Sequence, residues 1–299
     1  MNIKAYWKAQ FKVTNALFLL FSLFLLTDCS QEKAGETARS GKMTMAVDRQ
    51  LGDAAGNQIK MFTAYYPDTK ITLLGSGSGK TVKHLLDRSA RAALISGDPD
   101  AVEDSLFATM PQRLRREPVA RDAIVCIVNR TSPISKLSLK ELGALFAGKE
   151  SSGVTALVTA DDYRLLSMFA AATGIGKKEI TARGCISEGE LIKRVSSDRN
   201  AIGLLFRSSL DGVLNDRVGE NEIRIIHIAK EEGSTPYPPT QQNIFEGLYP
   251  LVTTVYYVYY AGDALAAGFG SWLSTSGQKT FEKSSLAPYR AFQRTIILK

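Results

Sequence analysis

The sequence predicts an α/β fold in which strands and helices alternate around doubly wound sheets. Short apolar segments rich in β-branched residues recur along the chain, and helical patterns separate the first of them. Asp, Gly or Ser follows each of the first three apolar segments, as is typical at the ends of strands. With 44% hydrophobic and 22% charged residues, the composition is that of an ordinary globular protein.

The first part of the folded chain is predicted to be a β-α-β-α-β unit. Its strands and helices are expected, in chain order, at residues 43–47, 57–66, 71–74, 78–90 and 91–95. The spacing of Ile59, Met61, Phe62 and Tyr65 places them toward one side of the first helix, which we expect to pack inward. Open parallel sheets bind ligands at the carboxyl ends of their strands, so the loops after these three strands are candidate ligand loops.

The loop Gly75-Ser76-Gly77-Ser78-Gly79 is the most informative of these loops. It lies between an apolar strand and an amphipathic helix, so backbone N–H groups and the positive end of a helix dipole point toward one position. Such a position favours an anion. A nucleotide P-loop is excluded, because Leu74 stands where that motif requires its first Gly. The alternative is an ordinary strand–helix connection that binds nothing.

The second part of the chain repeats the alternation. Strands are expected at residues 122–129, 155–159, 201–206 and 252–260. Helices are expected at residues 139–146, 161–173 and 188–196, with a C-terminal helical region near 263–283. The first of these helices should begin with a capping box, since Ser138 precedes it and Glu141 follows three residues later.

Few residues are available for metal binding or catalysis. Beyond Cys29 the cysteines are Cys126 and Cys185, and the histidines are His84 and His227. They show no metal-ligand spacing, and neither histidine has a nucleophile or carboxylate at a catalytic spacing. We therefore predict a binding protein rather than an enzyme, with no metal and no cofactor. A Cys126–Cys185 disulfide is possible in an oxidising compartment, but the sequence does not show that the two residues are close.

The net charge favours anionic partners only weakly. The formal charge is +7 for the whole chain, and its basic residues are scattered apart from a cluster at Arg113, Arg115 and Arg116. Nucleic acid is therefore not an expected partner.

The N-terminus is typical of an export signal. Lys4, Lys8 and Lys12 precede a Leu/Phe-rich apolar run at 16–26, which is shorter than a membrane-spanning helix requires. The following Leu26-Thr27-Asp28-Cys29 resembles the lipobox of bacterial lipoproteins, although Asp28 departs from its usual small residue. The resemblance implies a signal peptide at 1–28, a lipid on Cys29 and a flexible tether at 29–42. It also implies a location on the periplasmic side of a bacterial cell envelope. An uncleaved anchor and a secreted soluble form are the alternatives.

The order of motifs along the chain resembles the type II periplasmic solute-binding proteins, and within them the phosphate-binding proteins of ABC phosphate importers. The resemblance covers almost the whole chain after the tether. It rests on a strand-turn-helix followed by Tyr66-Pro67, on the Gly/Ser loop and on five later segments. These segments are 120–129, 137–149, 200–203, 249–251 and 276–279.

This resemblance implies two α/β lobes joined by two crossing strands, with one ligand held between them. Residues 43–121 and 230–299 would form lobe one, and residues 122–229 would form lobe two. The first crossing would be the strand at 122–129, and the second would follow 223–228. The implied partners are phosphate or another small anion and the permease of an ABC importer. The alternative is an envelope lipoprotein that acts as a sensor or assembly partner and has a degenerate ligand site.

The resemblance also implies a set of ligand-binding residues. Ser78 matches the hydroxyl donor of the family's Gly/Ser loop, with Gly79 N–H and Gly77 beside it. The other candidates lie in the loops after the first and third strands and at the start of the lobe-two helix. They are Asp48, Arg49, Ser96, Asp98, Tyr163 and Arg164.

The start of the lobe-two helix departs from the family pattern. The family places Ser-Gly-Thr there, whereas this chain has Asp161 and Asp162, which would repel a bound dianion. Asp161 could instead be an ordinary N-cap, and Arg164 could be its i, i+3 partner. Three outcomes stay open: phosphate binding with a rearranged lobe two, binding of a different solute, or loss of tight binding.

Overall fold

The computed structural model describes residues 35–149, 153–211 and 222–291. The predicted signal peptide, Cys29 and the first part of the tether lie outside these ranges. No helix within them is long and apolar enough to cross a membrane.

The described chain alternates strands and helices from end to end. The strands are β1 (Gly41–Asp48), β2 (Thr69–Ser76), β3 (Ala92–Ser96), β4 (Leu114–Asn129), β5 (Lys136–Ser138), β6 (Thr155–Thr159), β7 (Arg183–Cys185), β8 (Ala201–Phe206), β9 (Ile223–Ile225), β10 (His227–Ala229), β11 (Val252–Tyr260) and β12 (Ala287–Pro288). The helices are α1 (Gly52–Tyr65), α2 (Ser78–Leu86), α3 (Ala101–Ala108), α4 (Leu139–Phe146), α5 (Tyr163–Thr173), α6 (Glu188–Ser197), α7 (Gln241–Phe245), α8 (Ala264–Ser274) and α9 (Gln278–Phe281).

One long strand connects two halves of the sheet. The strand order is β2-β1-β3-β11-β4-β8-β6-β7. The first part of β4 pairs with β11 and the last part pairs with β8, so β4 belongs to both halves. We call β2, β1, β3, β11 and the start of β4 the first half-sheet, and the end of β4, β8, β6 and β7 the second half-sheet. Within each half, β1 and β6 pair in parallel with the strands on both of their sides. The predicted two-part α/β architecture with a crossing strand is confirmed.

The chain returns to the first half-sheet near the start of β11. Leu251 O accepts a hydrogen bond from Ile124 N at 2.9 Å, and β11 then continues along β4 and β3. This return lies downstream of residues 223–228, in the order expected. The lobe limits at 121/122 and 229/230 stay predictions, because the strand β4 runs through the first of them without a break.

Each half-sheet has its own apolar core. Every residue of β3 and of β8 is buried, as expected for strands covered on both faces. The core of the second half-sheet includes Leu165 and Phe169 of α5, which fixes that helix against the sheet. Cys126 and Cys185, the cysteines within the described ranges, are buried with free thiols, so the possible disulfide between them is not formed.

Several predicted elements need correction. The first helix begins at Gly52 rather than residue 57, and its Phe62 is buried, whereas Met61 and Tyr65 are 42% and 65% exposed. The Tyr65 ring instead covers Trp272, with a centroid distance of 5.3 Å. The helix expected at 161–173 begins at Tyr163, so its N-cap residue is Asp162 rather than Asp161.

Candidate functional site

The candidate site begins at the carboxyl ends of β1, β2 and β3. Asp48 ends β1 and lies opposite Ser76, the last residue of β2. Ser96 ends β3, and its backbone N–H donates a 2.8 Å hydrogen bond to the Asp48 carboxylate. Helix α2 starts at Ser78, so the Gly/Ser loop delivers its first turn to the same edge of the sheet. The predicted convergence of the three loops is therefore present in the fold.

Arg164 of α5 reaches this edge from the second half-sheet. Its side chain is 1% exposed, and its Nη2 lies 2.9 Å from the carboxylate of Asp48. Its Nη1 donates to Ser96 O at 2.8 Å, and its Nη2 donates to Ser78 O at 3.3 Å. Its Nε lies 3.3 Å from Glu103 Oε1 as an ion pair. We call these five residues the Arg164 network.

Within the Arg164 network, the positive charge of Arg164 is compensated by the buried carboxylates of Asp48 and Glu103. Asp48 is 1% exposed and Glu103 is 3% exposed, so neither carboxylate has much access to water. Burial alone would lower the pKa of Arg164, but the neighbouring Asp48 and Glu103 outweigh it and raise that pKa. Burial raises the pKa of Glu103, and the Arg164 charge opposes that rise. The interpretation of Arg164 as an i, i+3 partner of Asp161 is therefore wrong.

Asp161 has different partners. Its carboxylate forms a 3.6 Å ion pair with Arg49, and both side chains are about half exposed, at 49% and 50%. Its backbone carbonyl accepts a 3.1 Å hydrogen bond from the Ser78 hydroxyl. A Cβ atom on Gly77 would collide with the Asp161 carboxylate, so the close approach requires glycine at this position.

Tyr163 completes the contact between α5 and the Gly/Ser loop. An ideal Cβ on Gly79 would lie 2.6 Å from the Tyr163 hydroxyl oxygen, so this contact also depends on glycine. The hydroxyl donates a 3.4 Å hydrogen bond to Glu103 Oε1, and burial, followed by the charge of Glu103, raises the pKa of Tyr163 to about 12. The interface at the predicted site is therefore closed by side chains of the protein itself.

The structure brings together most, but not all, of the predicted ligand residues. Those at the interface are Asp48, Arg49, Gly77, Ser78, Gly79, Ser96, Tyr163 and Arg164. Asp98 is exposed and interacts with the Tyr256 hydroxyl instead. The ligand-binding role of every one of these residues stays a prediction.

Glu103 is the member of the Arg164 network that the sequence did not indicate. It belongs to a capping box at the start of α3, in which the Asp100 side chain accepts from Glu103 N and Glu103 accepts from Asp100 N. The spacing of Asp100 and Glu103 is the sequence signal for this helix start. That signal predicts a cap, but it does not predict the ion pair with a residue of another half-sheet.

Further carboxylates surround the start of α5. Asp162 is 6% exposed, and burial, followed by the charges of Glu188, Asp48 and Asp161, raises its pKa to about 7. Burial also raises the pKa of Glu188, which accepts a 2.7 Å hydrogen bond from the Ser209 hydroxyl. The interface therefore carries more carboxylates than arginines, and the predicted repulsion of a dianion has a structural basis. No cluster of His, Cys, Asp or Glu suited to a metal ion occurs in the described part of the chain.

The contact of Gly97 with α5 offers a test of how tightly the two halves are held together. Gly97 has a φ of +82°, and a Cβ there would also collide with the side chain of Met168. We expect Gly97→Ala to lower the free energy of unfolding by about 1–3 kcal/mol from backbone strain, plus a further loss from displacing Met168. Urea denaturation of Gly97→Ala and of the unmodified chain would measure the sum of these two losses.

Gly262→Ala is the matched control for this experiment. Gly262 has a φ of +90°, but a Cβ at that residue would meet no atom within 4 Å. The control should therefore report backbone strain alone. Equal losses for the two variants would contradict a tight contact between Gly97 and α5.

A separate surface groove of about 980 Å³ lies away from this interface. It lies between α1 and the C-terminal helices, and Asn57, Lys60, Tyr65, Asp211 and Trp272 contribute to its walls. None of the predicted ligand residues lines it. This groove is wide and open to solvent. The buried charges and the converging loops lie instead at the Arg164 network. We therefore regard the network as the candidate functional site.

Comparisons with known proteins agree with this fold. The phosphate-binding protein PstS of Pseudomonas aeruginosa is 23% identical over 272 residues, which is 84% of this chain and 84% of that protein. A putative phosphate ABC transporter substrate-binding protein from Clostridium perfringens, solved with bound phosphate, superposes with a TM-score of 0.68 and 18% identity. That match covers 84% of this chain and all of the other. An ABC-type phosphate transport receptor from Vibrio cholerae gives a TM-score of 0.61 and 18% identity over 82% of this chain and 99% of that one.

A protein-family model described as a PBP superfamily domain matches residues 32–276. This range contains both half-sheets up to the end of α8 and every residue of the Arg164 network. The resemblance to periplasmic solute-binding proteins that the sequence motifs indicated is thereby confirmed. The chain belongs to the PBP superfamily.

Proposed function

We propose that this chain is the solute-binding component of an ABC importer and that it captures phosphate between its two half-sheets. The observation that carries the proposal is the position of Arg164, whose buried guanidinium lies beside the carboxyl ends of three strands and the N-terminus of α2. Arginine and helix N-termini are the groups that proteins use to hold phosphate oxygens. Relatives described as phosphate-binding proteins support the same solute.

Separation of the two half-sheets would make these donors available. The guanidinium presents five N–H groups in a planar fork, and the Ser78 hydroxyl and the first turn of α2 lie close to it. The Ser96 hydroxyl is buried without a hydrogen-bond partner among the described residues, so it adds another free donor. Each charge-assisted hydrogen bond to a phosphate oxygen contributes about 1.5–3 kcal/mol. Capture would proceed by hinge motion about β4 and the return segment before β11.

The cellular setting is part of the proposal. A lipid on Cys29 would hold the protein at the periplasmic side of a bacterial envelope membrane, where it would deliver its solute to the permease of the importer. The relatives with solute-binding names also favour a binding role over catalysis. A spacer between Cys29 and the folded unit would leave the half-sheets free to meet the permease.

The network itself favours one alternative. Asp48 and Glu103 already neutralise Arg164, which is the arrangement expected of a degenerate ligand site. In that case the protein would be a sensor or assembly partner in the envelope rather than a transport component.

Calorimetric titration of the detergent-solubilised full chain with phosphate at neutral pH tests the proposal. We expect measurable binding that weakens about tenfold in Ser78→Ala, which corresponds to about 1.4 kcal/mol. Ser271→Ala, an exposed hydroxyl on α8, is the matched control and should bind like the unmodified chain. No heat and no thermal shift with phosphate would contradict the phosphate assignment and favour the alternative.

A further inference from the structure

We propose that Asp48 is a tethered anion that occupies the position on Arg164 where a free anion would bind, and that it thereby sets the anion affinity of the site. The inference concerns a residue that weakens binding rather than one that provides it. It rests on the proposed function only for the identity of the competing anion, phosphate.

The protein's own acceptors surround the Arg164 guanidinium in this closed form, and of its three nitrogens only Nε has no hydrogen-bond partner among the described residues. Nη1 donates to Ser96 O, Nη2 contacts the Asp48 carboxylate and donates to Ser78 O, and Nε faces Glu103. A guanidinium binds an anion through pairs of such N–H groups. A free anion must therefore displace at least one of the protein's own acceptors.

Asp48 is the acceptor with the properties of an anion ligand. It touches Arg164 at 2.9 Å, accepts the Ser96 N–H at 2.8 Å and is almost inaccessible to solvent. The carbonyls of Ser78 and Ser96 are neutral, and Glu103 meets Arg164 only at 3.3 Å. The carboxylate of Asp48 therefore matches the charge, the position and the donors of a bound oxyanion.

A second carboxylate, that of Asp161, lies near the start of α2. Asp161 lies against Gly77, directly before the first turn of α2, where the helix dipole favours negative charge. Asp48 and Asp161 together provide two negative charges, as a phosphate dianion would. Asp161 is 49% exposed and can swing aside, whereas Asp48 is fixed at the end of β1. A free anion must therefore displace Asp48 to bind Arg164.

A tethered competitor is effective because it is always present. A group held in place by the chain acts at a high effective concentration, and free phosphate has to exceed that concentration to replace it. The expected consequence is weak phosphate binding by the unmodified chain and much tighter binding once the Asp48 charge is removed.

The decisive variant is Asp48→Asn, tested in the detergent-solubilised full chain by phosphate titration. The amide keeps an oxygen for the Ser96 N–H but removes the charge that neutralises Arg164. We expect phosphate to bind at least tenfold more tightly than to the unmodified chain. Adding Arg164→Met to this variant should abolish the gain, because the gain requires the guanidinium.

Two further variants make the experiment specific. Asp68→Asn removes the same charge from an exposed turn and should leave phosphate affinity unchanged. Glu103→Gln removes the carboxylate that lies farther from Arg164. It should give a smaller gain in phosphate affinity than Asp48→Asn. Glu103→Gln also serves as the second measurement if Asp48→Asn does not fold, and an unchanged or weakened affinity in it would then overturn the inference.

Small-angle X-ray scattering of the same samples separates this inference from the proposed function. If Asp48 holds the two halves together, Asp48→Asn without ligand should have a larger radius of gyration than the unmodified chain. Expansion without phosphate binding would support the tethered anion and contradict the phosphate assignment. An unchanged radius with unchanged affinity would overturn the inference, and so would weaker phosphate binding by Asp48→Asn.

Discussion

Replacing Arg164 with methionine is expected to lower the free energy of unfolding by about 3–5 kcal/mol. The substitution leaves Asp48 and Glu103 almost fully buried without the positive charge that compensates them. Removing one partner of a buried ion pair costs far more than the pair itself contributes, because the remaining charge has lost both water and partner. Urea denaturation followed by circular dichroism would measure the loss.

Two companion variants define the cause of this loss. Arg49→Met removes an arginine whose ion pair with Asp161 is half exposed, and it should cost less than about 1 kcal/mol. Adding Asp48→Asn and Glu103→Gln to Arg164→Met removes the uncompensated charges and should restore most of the stability. If the triple variant is no more stable than Arg164→Met, the loss comes from packing rather than charge.

The stability of the protein is expected to fall as the pH rises from about 4 to about 7, and Asp162→Asn should remove much of this dependence. The pKa of Asp162 is raised from 3.8 to about 7 by burial first, then by Glu188, Asp48 and Asp161, while Arg164 opposes the rise. Between these two pKa values the folded protein holds a proton that the unfolded chain has released. Raising the pH therefore favours the unfolded chain, by up to about 4 kcal/mol at pH values above 7.

Urea denaturation at several pH values would test this expectation. Asp162→Asn should be more stable than the unmodified chain at pH 8 and little different at pH 4. Asp161→Asn is the matched control, because its carboxylate is half exposed and its loss should leave most of the slope. A slope in Asp162→Asn as steep as that of the unmodified chain would assign the dependence to other groups, such as Asp122, whose pKa burial raises to about 6.

The sequence predicted the positions of the buried strands better than the full length of β4. Apolar runs located β3, β6, β8 and β11 to within one residue, because buried strands need continuous hydrophobic side chains. The first eight residues of β4 were missed, since Leu114–Arg121 includes Arg115, Arg116 and Glu117 and is a strand only because β11 pairs with it. Because β11 is more than a hundred residues away in the sequence, this pairing leaves no pattern in residues 114–121 that would indicate a strand.

The candidate site was predictable in its location but not in its bonding. Ser78, Ser96 and Asp48 lie at strand or helix ends, so the local pattern placed them at one edge of the sheet. The partner of Arg164 was not predictable, because Asp48 is 116 residues away in the sequence and meets it only after the two half-sheets pack. A local partner for Arg164 three residues earlier was the simpler hypothesis, and tertiary contact overrode it.

The turn after β3 shows how a single backbone angle redirects a candidate residue. Asp98 follows Ser96 closely in the sequence and was grouped with it as a ligand. Gly97 has a φ of +82° between them, and the chain turns so that Asp98 is exposed and near Tyr256. Gly is compatible with many backbone angles, so the sequence could not indicate this direction.

The position of β11 in the sheet has a consequence for how the chain acquires its structure. This strand lies between β3 and β4, yet among the described residues it is the last long strand in chain order. Until residues 252–260 are available, β3 and the start of β4 lack their shared neighbour, and the first half-sheet cannot be completed. The long sequence separation between paired strands makes such assembly slow. Completion of the first half-sheet is thereby delayed until residues 252–260 have been synthesised, which suits a protein proposed to act on the periplasmic side of a membrane.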